Sequence, residues 1–240
     1  MSVTHRQQQY LRAMGIDVWV RRGPEAKEKA PAKPTVPQRS AAGGTVVADI
    51  DAIAQMDWET LRKTVAGCVR CALHESRTQT VFGVGSRTAD WLLVGEAPGV
   101  DEDRQGEPFV GRAGQLLNAM LLAMGLKREE VFIANILKCR PPKNRDPRPE
   151  EVICCEPYLK RQIQLIEPKI ILALGRVAAH NLLKADTPIG RMRGKRYEYL
   201  SLGIPVVVTY HPAYLLRSPR EKQKVWQDLQ FGKRVLEGML

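Results

Sequence analysis

The sequence predicts an α/β fold, a three-layer αβα sandwich around a mostly parallel, four-stranded central sheet. Two observations carry that expectation. Four short, nearly continuous apolar runs read as strands covered on both faces. Helix-period patterns with short connections separate them, as parallel pairing requires.

Each element has its own justification. The strands are residues 91–94 (WLLV), 131–134 (VFIA), 170–174 (IILAL) and 205–209 (PVVVT). Between the first two, Leu117, Met120, Leu121 and Met124 repeat at helical spacing over residues 114–124, with Gly125 placed as a left-handed stop. Pro149 opens the next helix, followed by Glu150 and Glu151 in the first turn, where the helix dipole favours acids. Ser218-Pro219-Arg220-Glu221 has the form of a capping box and predicts a last helix running to the C-terminus. Upstream, residues 23–44 hold four prolines and three glycines, and Val36 is their one apolar side chain besides alanines. Such a segment reads as a flexible tether. The expected organisation is a peptide at 1–22, a tether at 23–44 and a globular domain at 45–240.

Composition narrows the function. The 240 residues carry 37 Lys and Arg against 26 Asp and Glu, a net charge of +11, which points to a polyanionic partner. No stretch approaches the ~18 apolar residues of a membrane span, and no apolar leader segment opens the chain. The expected location is therefore the cytoplasm, with no membrane partner. There, five cysteines suggest four metal ligands and one spare rather than disulfides. Cys68 and Cys71 form a C-x2-C pair, Cys139 follows, and Cys154 and Cys155 are adjacent in the helix opened by Pro149. Neighbouring helix positions point about 100° apart, so one of the last two faces a site. Spacing alone leaves tetrahedral zinc and an iron–sulfur cluster both open. Lys138, Arg140 and Arg148 place positive charge near these thiols.

In open α/β sheets, ligands bind beyond the carboxyl ends of the strands. Those ends carry Glu96 in GEAPG, Asn135, Gly175-Arg176 and His211 in YHP. An Asn amide can pair with a nucleobase edge. A His near a leaving group can stabilise developing negative charge. A Glu can hold water or favour a cationic sugar. Phe109, between glycines, either stacks on a base or covers a strand end. The first strand leads into neither G-x-G-x-x-G nor a lysine-bearing phosphate loop, which removes dinucleotide and P-loop chemistry.

GEAPGVDED, GEPFVGRAGQLLNAML, NILKCRPPKNRDP and HPAYLLR, in this order with the four cysteines, closely resemble the family-four iron–sulfur uracil-DNA glycosylases from about residue 68 to the end. The resemblance implies a DNA-repair hydrolase that flips uracil out of DNA, cleaves its N-glycosidic bond and leaves an abasic site. It implies a structural four-iron four-sulfur cluster on Cys68, Cys71, Cys139 and Cys155, with Cys154 spare. It implies that Phe109 stacks on uracil, Asn135 reads its amide edge, and His211 bonds O2 and stabilises the departing uracilate. Ala97 would approach the base through its backbone, and Glu102 lies in the same pocket motif. Glu96 would place water or stabilise the sugar cation.

Tyr214, Leu215, Leu216 and Arg217 form a plausible wedge, and Arg140, Lys143, Arg145, Arg191 and Arg193 are candidate phosphate contacts. The covalent relatives carry a Lys-Arg-Ile-His insert where this chain has residues 140–144 (RPPKN), so turnover is expected rather than capture. Glu96 argues against the fifth family, and the intact set of Glu96, Phe109, Asn135 and His211 argues against the alternative, an inactive or covalent uracil-DNA-binding protein. The expected partners are uracil-containing single- and double-stranded DNA, and the expected state is a monomer in a bacterial cytoplasm, associated with the nucleoid.

The first 22 residues lie outside that resemblance. Residues 6–19 read R-x3-Y-L-x2-M-G-I-x2-W and resemble the N-terminal peptide of the psi subunit of the bacterial replicative clamp loader. The implied partner is a clamp-loader subunit, gripped through a short tethered motif.

Overall fold

The computed structural model describes residues 50–199 and 202–239. The peptide expected at 1–22 and the tether at 23–44 lie outside the described residues. The elements, in chain order, are α1 (Trp58–Ala66), β1 (Val84–Gly85), β2 (Trp91–Gly95), α2 (Val100–Gln105), α3 (Arg112–Ala123) and β3 (Phe132–Asn135). They continue with α4 (Pro149–Ile166), β4 (Ile170–Leu174), α5 (Arg176–Leu183), α6 (Ile189–Met192), β5 (Arg196–Tyr199), β6 (Ile204–Thr209), α7 (Pro212–Arg217) and α8 (Lys222–Leu236).

The four expected strands form the parallel centre, and the sheet has six strands, not four, in the order β1-β3-β2-β4-β6-β5. The additions are antiparallel edges: β1 on β3 and β5 on β6. Neither has an apolar run to announce it. β1 is two residues long, and β5 reads RYEY with Arg196 and Glu198 exposed, as suits an edge that must not recruit another chain.

Alternate residues of the central strands face two cores. Leu92, Val94, Ala134, Ala173 and Val208 pack with Leu159 and Ile163 of α4 and with Ala178 and Leu182 of α5. Leu93, Ile133, Leu172 and Val207 pack with Leu117 and Leu121 of α3 and with Val225 and Leu229 of α8. Two-sided cover explains the unbroken apolar runs, and each fully buried Leu or Ile contributes about 2 kcal/mol. α3 ends as expected, with Gly125 at φ 79°. α4 begins at Pro149, and the Glu151 carboxylate accepts the Arg148 N–H at 2.8 Å. The capping box expected at Ser218 does not form. Ser218 makes no side-chain cap, and a 3-10 turn over Pro219–Glu221 leads into α8 instead.

Candidate active site

The carboxyl ends of the parallel strands build one cleft of about 470 Å³, lined by Glu96, Ala97, Glu102, Phe109, Asn135 and His211 among others. Sheet register sets the first contact, because β2 and β3 pair Gly95 with Asn135. A Cβ at Gly95 would collide with both Asn135 Oδ1 and the Phe109 ring, so this strand end is open only as glycine. Asn135 is 2% exposed, and its Oδ1 has no hydrogen-bond partner among the described residues. A buried acceptor without a protein partner costs on the order of 1–3 kcal/mol, and this one is available to a donor entering the cleft.

His211 caps α7 from the end of β6. Its Nδ1 accepts the Ala213 N–H at 3.1 Å. Burial, with the Arg217 cation adding to it, pushes the imidazole down to about 4. The ring is therefore neutral near pH 7 and carries its proton on Nε2, a donor for the cleft. Gly175, at φ 95°, passes so close that a Cβ would sit 2.9 Å from His211 Cβ. The Phe109 ring lies beside that imidazole, centroids 5.5 Å apart and 29° between planes.

Phe109 is buried and sits in the left-handed region at φ 55°, which a non-glycine residue adopts only when its surroundings hold it there. Glu102 is the holder. Its Oε1 accepts from Val110 N at 3.0 Å and Gly111 N at 3.2 Å, and its Oε2 from Gly99 N at 3.1 Å. Arg128 braces the same loop by donating to the Pro108 carbonyl at 2.5 Å. Glu102 thus belongs to the pocket, as expected, but as a clamp on two loops whose oxygens are already engaged.

Glu96 lines the opposite wall. Burial is the main cause that raises its carboxyl to about 7; Asp146 raises it further, and Arg176 pulls the other way. Asp146 itself pairs with Arg176 at 2.6 Å. Sequence reasoning missed Asp146, an acid inside the basic run 138–148, which is the signal that could have found it.

The expected DNA-contact residues divide. Arg145, Tyr214 and Arg217 line the cleft. Lys143, Arg191 and Leu216 are exposed outside it, and Arg140 donates to Asn144 Oδ1 at 2.7 Å. Arg145 is also committed to Glu151 through two bonds of 2.9 and 2.5 Å. Two expectations are corrected. Leu215 is 1% exposed and packs into the α3–α8 core, so it cannot enter a DNA stack. Arg193 is half-buried and pairs with the buried Asp228 through bonds of 2.7 and 3.0 Å, and it lies 4.6 Å from the Tyr210 ring centroid. Thr209 completes that pair by donating to Asp228 at 2.6 Å. A guanidinium held this way is part of the fold, not a phosphate ligand.

On the other face of the sheet, Cys68, Cys71, Cys139, Cys154 and Cys155 line one small cavity with Arg70, Arg77 and Lys138. Burial is the first cause raising the thiols of Cys71, Cys139 and Cys155, the last to about 12. Mutual proximity adds to it. Two donors oppose that trend: Arg77 to Cys139 Sγ at 3.2 Å and the Lys138 N–H to Cys155 Sγ at 3.4 Å. Tyr158 donates to Cys68 Sγ at 3.4 Å. Cys154 turns its thiol to the Arg70 carbonyl at 3.2 Å. Of the expected neighbouring cations, Lys138 lines the cavity, and Arg70 and Arg77 do so in place of Arg140 and Arg148. No group of three or more His, Cys, Asp or Glu side chains among the described residues is placed to hold a single metal ion. A further cavity of about 500 Å³ lies beside α1, walled by Trp58, Phe82 and Phe132; none of the strand-end residues reaches it.

No helix among the described residues is long and apolar enough to cross a membrane. The family profile described as "Uracil DNA glycosylase superfamily" matches residues 82–230. The chain is 48% identical over 174 residues to the type-4 uracil-DNA glycosylase of Archaeoglobus fulgidus, covering 70% of this chain and 87% of that protein. It is 42% identical over 180 residues to that of Pyrobaculum aerophilum, covering 72% and 92%. To that of Thermotoga maritima it is 40% identical over 182 residues, covering 75% and 94%.

Proposed function

Because the chain belongs to the type-4 uracil-DNA glycosylases of the uracil DNA glycosylase superfamily, and so is a DNA-repair N-glycosylase, we propose how its residues divide that reaction. The observation that carries the proposal is the dry Asn135 Oδ1 beside the Nε2–H donor of a neutral His211 in one cleft. Uracil presents an N3–H donor flanked by two carbonyl acceptors. Asn135 accepts N3–H and donates its amide to O4; cytosine, with an acceptor at N3 and an amino group at C4, inverts both contacts. His211 donates to O2 and strengthens that bond as the bond to the sugar breaks and charge moves onto the base. Phe109 covers a face of the flipped base, and Ala97 borders it. Glu96, once ionised, positions the attacking water and favours the cationic sugar. A neutral imidazole suits this division, since its Nε2–H donates to the base without being transferred.

Cys68, Cys71, Cys139 and Cys155 hold a four-iron four-sulfur cluster, which supplies a cross-link between the segment before β1, the exit of β3 and α4. Four thiols around one cavity, attended by Arg77 and Lys138, are the donor set and charge such a dianionic group requires. DNA is held through Lys143, Arg140, Arg191 and Arg217, and Tyr214 and Leu216, 36% and 38% exposed, fill the space left by the base. Uracil in single- and double-stranded DNA is the substrate, and the monomer works at the nucleoid in the cytoplasm. Residues 1–22 anchor the enzyme to a clamp-loader subunit through the tether of residues 23–44; a pulldown with that peptide that returns no loader subunit sinks this last part.

The experiment is incubation with a uracil-containing oligonucleotide, scoring free uracil and alkali-labile abasic sites. Turnover with several equivalents of uracil released per protein is expected, together with a yellow-brown protein whose colour disappears in Cys139→Ser. A permanent protein–DNA adduct, or a colourless active protein, overturns the assignment.

A further inference from the structure

Lys138 lines the cysteine cavity and bonds the main chain of Asn135, which lines the cleft. It is 1% exposed, yet it is a lysine, and nothing in the reaction uses it. Its Nζ donates to the backbone carbonyl of Asn135 at 3.0 Å. Its own N–H reaches Cys155 Sγ at 3.4 Å, its carbonyl accepts from Val81 N at 2.8 Å, and the residue lines the cysteine cavity. The main chain of Lys138 is thereby fixed at both polar groups, and the side chain doubles back three residues to the point where β3 ends.

We propose that Lys138 is a positioning residue for base recognition: it ties the Asn135 peptide to the cysteine cavity, so that the base-reading amide and the metal site move as one unit.

This rests on the assignment of Asn135 as the uracil reader and of the cysteines as ligands. A buried ammonium needs a compensating charge, and a carbonyl alone does not supply one. Cys139 and Cys155 line the same cavity as Lys138. A neutral side chain would leave the Asn135 carbonyl without this donor and free the β3 exit to shift. A misplacement of about 1 Å at a substrate-positioning group costs on the order of 100-fold in rate.

The test is Lys138→Met, which keeps length and removes charge, compared with the full-length wild-type protein. Three quantities are read: iron per chain with the visible spectrum, inhibition by free uracil, and kcat on uracil and cytosine oligonucleotides. The proposal expects unchanged iron and spectrum, with kcat and free-uracil affinity each lowered about 10- to 100-fold and the preference for uracil over cytosine reduced. Unchanged iron with unchanged kcat and uracil affinity overturns it. Loss of iron also overturns it, because Lys138 would then serve retention of the metal site rather than Asn135. If Lys138→Met does not fold, Lys138→Gln, a neutral donor too short to reach Asn135, is read by the same criteria. Asn135→Ala run in parallel separates the failures: full activity there removes the base-reading assignment itself, whereas a crippled Asn135→Ala beside a normal Lys138→Met removes only the inference about Lys138.

Discussion

The strand-end cleft and the cysteine cavity begin at opposite ends of one five-residue stretch, Asn135 to Cys139, and are made by opposite means. The cleft is made by backbone. Glu96, Asn135 and His211 each stand at or just beyond the end of a sheet strand, and the β2–β3 register places Gly95 beside Asn135. The cavity is made by side chains from connectors and one helix, brought together over 155 − 68 = 87 residues of chain. A site fixed by a ladder of main-chain bonds keeps its shape when one side chain is changed. A site assembled from side chains on separate connectors has no such ladder, so each side chain removed changes its shape.

Four comparisons break or sharpen that contrast. Asn135→Ala should lower kcat on a uracil oligonucleotide by about 10²–10³, or ~3–4 kcal/mol, while the thermal midpoint holds or rises because a dry buried acceptor is gone. A midpoint falling in step with activity would mean the cleft is no sturdier than the cavity. Arg193→Ala should cost about 3 kcal/mol of stability in denaturant unfolding, since it strands Asp228, 2% exposed, without its guanidinium. DNA affinity of the folded fraction should hardly change; a fall in its salt slope would restore Arg193 as a phosphate contact.

Leu215→Ala and Leu216→Ala form the third comparison. The first should destabilise the fold by about 2 kcal/mol or more and the second by under about 0.5 kcal/mol, with the second weakening binding to duplex DNA instead. The last comparison is in pH. With Glu96 raised to about 7, kcat should rise about tenfold per pH unit from pH 5 and level off above 7, and Glu96→Gln should lose that limb along with much of the rate. His211, held to about 4, stays neutral over this range. The folded-state carboxyl lies above its usual 4.5, so ionising Glu96 costs stability as pH climbs from there through 7. Glu96→Gln should therefore be more stable than wild type above pH 7 in thermal melts.

How far the sequence could be read follows from what makes a pattern. The four central strands are legible because two-sided burial writes itself as an apolar run. β1 and β5 are not, since two residues or a half-polar RYEY look like any loop. Glu96, Asn135 and His211 are legible by position, directly after those runs. Glu102 is found but its task is hidden: no spacing says that a carboxylate turns back on the amides of Val110 and Gly111. Leu215 and Leu216 differ by about 100° around a six-residue helix too short to show a period, so composition offers both as wedges and packing keeps only one. Arg193 is misread for a related reason, because net charge counts a guanidinium without saying whether it faces solvent or Asp228. The thiols are legible as a set, and the angular argument says that one of Cys154 and Cys155 turns away without saying which; the Cys154 thiol meets the Arg70 carbonyl, although that residue still borders the cavity.

The three amides gathered on Glu102 also govern how the cleft breathes. The turn at 97–99 and the loop at 109–111 cannot part without leaving a carboxylate and three N–H groups dry together, which makes that side a closed seam. The wall carrying Tyr214 and Arg217 is fastened by other means, the His211 cap at the start of α7 and the buried Leu215 within it, so the two walls of the cleft are held independently of each other.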